Sequence, residues 1–135
     1  MKRALIVLLV ASLAAVVGAQ PKVAVLDTMI PQNMDPSVII PTTEKIIERL
    51  VVSGRFTVLD RANIESVLKE REFQVSGMVN DSDVVTAGKY LGADYVVVTK
   101  VQKVGETYFI SGKMIAVKTG VIVNQTSADG ERKLS

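Results

Sequence analysis

The chain has no histidine, no cysteine and no tryptophan, and its aromatics are three tyrosines and three phenylalanines among 135 residues. Without histidine or cysteine, the usual nucleophile–base pairs and the best zinc and copper ligands are missing. No disulfide can staple the fold, so burial must stabilise it. There is also no thiol to carry a lipid after a leader sequence. Charge of one sign is scarce as well, with 16 basic residues against 14 acidic ones. Lys2 and Arg3 belong to the leader described next, which leaves the rest near neutral. Such a chain has no excess field to draw in nucleic acid or anionic lipid.

The amino terminus reads as a secretory signal. Lys2 and Arg3 supply the basic start, Ala4–Val17 the apolar run and Val17-Gly18-Ala19 a small-residue cleavage site. The apolar run falls short of the roughly 20 residues that a comfortable membrane span needs. The expected organisation is a cleaved signal at 1–19, one α/β domain at 20–127 and a polar tail at 128–135. The mature chain is expected to be exported, periplasmic or envelope-associated, not lipid-anchored, and without a membrane span.

Lys22–Leu26 is a continuous apolar run, as in a strand covered on both faces. Pro31, Pro36 and Pro41 punctuate the loop that follows. Met29, Ile30 and Met34 are unusually apolar for a solvated loop, and they are the candidate partner-binding residues, since methionine-rich surfaces adapt to what they bind. Tucking against the core is the competing explanation. Thr42–Ser53 carries Ile46, Ile47 and Leu50 at helical spacing, with Ser37, Thr42 or Thr43 as its cap and Gly54 as its stop. A strand at Arg55–Leu59 and a helix from Arg61 to about Glu72 meet at Asp60, which is placed to cap the helix, with Leu59 and Ile64 at hydrophobic-staple positions.

A third helix begins at Asp81, Ser82 or Asp83 and ends at Gly92. On its buried side Gly88 permits close approach of a neighbour. Ala93–Val101 is the strongest strand and belongs near the sheet centre. Short turns then join Thr107–Val117 and Val121–Ser127, which makes those strands antiparallel. The order βαβααβββ gives an α/β (α+β) domain with a mixed sheet of about five strands and helices packed on it.

Arg55-Phe56-x-Val58-x-Asp60-Arg61 and Leu91-Gly92-Ala93-Asp94-Tyr95, in this order, resemble the CsgG family of curli production assembly/transport components. Relatives of that family resemble lipoprotein activators of penicillin-binding proteins. The resemblance runs from about Lys22 to Thr126 and makes Arg55, Phe56, Asp60, Arg61, Gly92 and Asp94 a structural signature. It implies an envelope domain that works by binding other proteins, sometimes as a homo-oligomer, in envelope assembly or secretion. A secretion pore is not implied, because the chain has no room for membrane-crossing hairpins.

Catalysis would have to rest on carboxylates. Asp27, Asp60 and Asp94 each lie near a strand end, where α/β sites gather, but each also has a structural duty available. Asn80-Asp81-Ser82-Asp83 lacks the glycine and closing glutamate of a calcium loop and reads as a helix cap. No catalytic residue, cofactor or metal site is therefore assigned. The expected function is an exported protein-binding module. The alternatives are a small carboxylate-dependent enzyme and a purely structural oligomer subunit.

Overall fold

The computed structural model describes residues 20–74 and 80–131. The expected signal at 1–19, the middle of the connector around Gly77 and the end of the tail lie outside the described residues. In chain order the elements are β1 (Lys22–Val25), a 3-10 turn (Pro36–Val38), α1 (Ile39–Ser53), β2 (Thr57–Val58), α2 (Arg61–Glu70), α3 (Asp81–Leu91), β3 (Tyr95–Val104), β4 (Thr107–Ala116) and β5 (Ile122–Glu131). The strands form one mixed sheet in the order β2-β1-β3-β4-β5. β1 runs parallel to both β2 and β3, and β3, β4 and β5 form an antiparallel meander. The expected order of elements and the single mixed sheet are both found.

β1 is apolar throughout its centre because helices cover it on both sides. Val23 and Val25 face α1, against Ile46, Ile47 and Leu50, with Val97 from β3 beside them. Ala24 and Leu26 face the opposite layer, where Ile64 and Leu68 of α2 and Val84 and Ala87 of α3 close over Val96, Val98 and Ile115. Leu59 packs on that layer too, as its staple position requires. Gly88 lies where α3 crosses the sheet: a Cβ there would sit 2.6 Å from Val117 Cγ2 and 2.7 Å from Val96 Cγ2.

Helix ends depart from expectation in instructive ways. α1 starts at Ile39 and not at Thr42, and no side chain caps it. Pro41 stands in its first turn, where a missing N–H breaks no intrahelical bond. Asp35 caps the preceding 3-10 turn instead, accepting from the Ser37 N–H at 2.9 Å. That backbone bond, then the Ser37 side chain, holds the Asp35 carboxyl below its ordinary pKa. Thr43 serves the core: its hydroxyl donates to the Ile39 carbonyl at 2.8 Å and accepts from the Thr28 N–H at 3.0 Å. Asp60 occupies the N-cap position of α2, yet its side chain makes no capping hydrogen bond. In α3 the cap is Asn80, which accepts from the Asp83 N–H at 3.0 Å.

α2 stops at Glu70, short of the expected Glu72. Glu72 adopts a left-handed conformation (φ 58°), so the Phe73 N–H turns back to the Leu68 carbonyl at 2.8 Å and the Glu72 N–H to Lys69 at 3.1 Å. This is a Schellman closure with glutamate where glycine is usual. α3 ends in the same way with Gly92 in that place. β5 continues past Ser127 to Glu131, because β4 offers partners along its whole length.

Candidate protein interface

The three carboxylates that a hydrolytic site would need point to separate tasks. Asp27, just after β1, forms a two-pronged pair with Arg61 at the start of α2: Nε to Oδ1 at 3.1 Å and Nη2 to Oδ2 at 3.2 Å. Arg61 also reaches Glu65 at 2.9 Å. The Asp27 hydrogen bond raises the guanidinium pKa above its ordinary value, against the opposing effect of burial. Asp94 accepts the Lys22 N–H at 2.8 Å and so pins the other end of β1. Asp60 is exposed. Arg61 and Asp94 of the signature thus latch the two ends of β1, and among the described residues Asp27, Asp60 and Asp94 line no common cavity. Among the described residues no cluster of acidic side chains could hold a metal ion.

What the fold does build is an apolar groove. β3, β4 and β5 each run for ten residues, while β1 has four and β2 two. The meander therefore overhangs its helices. On the α1 side the overhang meets Ile46 and Leu50 in a concavity of about 260 Å³ whose floor includes Val97, Ile110, Gly112 and Met114. Alternation along β4 puts Ile110, Gly112 and Met114 on this side and sends Lys113 to the other, where it pairs with Asp81. Gly112 and the small residues Thr126 and Ala128 keep the floor low. Ile110 remains 43% exposed although it lies in mid-strand, which marks a surface with no cover among the described residues. At the tip Lys103 stands over the Tyr108 ring at 5.5 Å.

The loop singled out by its methionines borders a second cleft, of about 270 Å³, lined by Met29, Ile30, Pro31, Lys100, Val101 and Gln102. Met29 is tied to β3 on both sides, donating its N–H to Thr99 at 2.9 Å and accepting from Val101 at 2.8 Å. Its side chain packs on the core, while Ile30 and Met34 are half-buried. The groove itself was missed at the sequence level. Ile46 and Leu50 look there like ordinary core residues, and the one available signal is Gly112 inside an otherwise bulky strand.

A comparison with curated proteins finds no match. Among solved structures, the chain is similar to the LpoB C-terminal domain from Salmonella enterica, with TM-score 0.65, 14% identity, and coverage of 91% of this chain and 93% of that one. It is similar to the lipoprotein GNA1162 from Neisseria meningitidis, with TM-score 0.63, 17% identity, and coverage of 83% and 81%. The PelC dodecamer from Paraburkholderia phytofirmans gives TM-score 0.50 at 15% identity, covering 83% and 71%. At such identities these likenesses establish the fold. The family comes from the sequence itself, since residues 32–128 match the peptidoglycan-synthase activator LpoB. The match falls on the activator side of the resemblance noted above, and such a family regulates an enzyme without being one. This chain belongs to the LpoB family of peptidoglycan-synthase activators.

Proposed function

We propose that this protein is an exported, envelope-associated activator that binds a peptidoglycan synthase and raises its rate by contact. The observation that carries this reading is the family match, which spans α1, the groove and most of β5. Its physical support is the uncovered apolar floor between α1 and β4, on which Ile110 lies exposed. An apolar patch rimmed by polar side chains is the kind of surface that a partner buries. The Met29, Ile30 and Met34 segment adds a second contact through the half-buried Ile30 and Met34. Of the two roles implied by the resemblance, envelope assembly is preferred to secretion, because the family match names a synthase.

The test is to titrate the protein, recovered from the periplasm of an expression host, into a glycan-polymerisation and cross-linking assay with each bifunctional synthase of its own cell. A saturable rise in rate with one of them is expected. If none binds it or changes rate, the reading fails.

A further inference from the structure

We propose that two copies of this chain pair edge to edge through β5, antiparallel, with Ser127 of each copy on the two-fold axis. Among the described residues the sheet has two edges, and they differ. β2 presents two residues. β5 presents ten, without a proline or a lysine among them. Edge strands that must stay single are normally short, charged, broken by proline or bulged. The one irregularity here is at the Met114/Ile115 step, opposite the start of β5, so the edge from Asn124 onward is regular.

The backbone specifies which groups are free. Ala116 donates its N–H to the Val121 carbonyl, so by alternation Met114, Gly112 and Ile110 direct their backbone groups toward β5. Their partners Asn124, Thr126 and Ala128 point back. The N–H and C=O of Gln125, Ser127 and Asp129 therefore face outward.

The side chains select the occupant and the register. Asp129 is the one charged residue between Ile122 and Gly130. With Ser127 opposite its own copy, Gln125 lies opposite the second copy's Asp129, and the relation repeats across the axis. Each carboxamide then donates to a carboxylate. A parallel pairing, or one centred on Asp129, would instead set the two carboxylates against each other. On the other face Thr126 meets Ala128 and Asn124 meets Gly130, so the low floors of the two grooves join without a clash. The interface is isologous, as a closed dimer requires. It is independent of the synthase reading, and either can fail alone.

Sedimentation equilibrium of the periplasmic protein is expected to show a dimer. Ser127→Pro removes one outward N–H while leaving the β4 ladder intact, and should give a monomer with an unchanged far-ultraviolet spectrum. Gln125→Asp should weaken the dimer about tenfold by opposing two carboxylates. Adding Asp129→Gln to that variant exchanges the pair and should restore it. If Ser127→Pro does not fold, the exchange pair decides the matter. A wild-type protein that is monomeric up to about 0.1 mM would overturn the proposal. So would a dimer that ignores both single substitutions.

Discussion

The Phe56 and Tyr95 rings meet edge to face, with centroids 6.2 Å apart and planes at 84°. One ring comes from each of the two signature segments, and both pack on the layer that α1 covers. The two segments are therefore one structural unit: they close over β1 from either side, while Arg61 and Asp94 hold its ends. A double-mutant cycle of Phe56→Leu and Tyr95→Leu should give a coupling of about 0.5–1.5 kcal/mol in denaturant melts. Additive effects would show that the rings only fill space.

Arg61→Lys keeps the charge but loses the fork that grips Asp27 at two atoms. The pair is partly exposed, with side chains 23% and 31% accessible, which limits its worth. A loss of about 1 kcal/mol is expected by urea denaturation. Asp27→Asn should cost a similar amount, and the double variant less than the sum.

Gly88→Ala sets two effects against each other. Alanine favours a helix over glycine by about 1 kcal/mol. The new methyl, however, would meet Val96 and Val117 below 3 Å, and both are buried side chains of the sheet layer. Overpacking of this kind costs about 1–3 kcal/mol, so net destabilisation is expected in a thermal melt. An unchanged or raised Tm would mean that α3 can slide on the sheet.

Glu72→Gly should do the opposite. The left-handed backbone at Glu72 strains a side chain, whereas Gly92 performs the same closure without strain. Relief of about 1 kcal/mol, partly offset by the freedom glycine adds to the unfolded chain, leaves a gain of some tenths of a kcal/mol. Calorimetry at fixed pH would measure it.

Ile110→Asp places a charge on the uncovered groove floor, away from the core clusters. The fold should melt within about 0.5 kcal/mol of the wild type. Stimulation of the synthase should fall at least about tenfold, as when a contact centre is lost. Full stimulation would move the contact to the Ile30 and Met34 side.

Most of the architecture was legible because it depends on local periodicity. The two-faced apolar run of β1, the helical spacing of Ile64 and Leu68, and the short turns of the meander each act over a few residues. Asp60 shows the limit. Its spacing marked the start of α2 correctly, but a capping bond also needs a rotamer aimed at the helix N–H groups, and spacing does not specify one. The start of α1 was missed for a related reason: Thr43 looks like a cap in sequence, and burial beside Thr28 turns it into a core hydrogen-bonding residue.

By itself the sequence determined which elements form, their order, and the lack of histidine and cysteine. Tertiary structure alone decided that the two signature segments touch and that the meander outruns its helices. It also decided that Ile46 and Leu50 border open space. Strand length relative to neighbouring elements is a property of pairing, and a groove exists where a cover is missing. Neither is recorded in the spacing of residues along one chain.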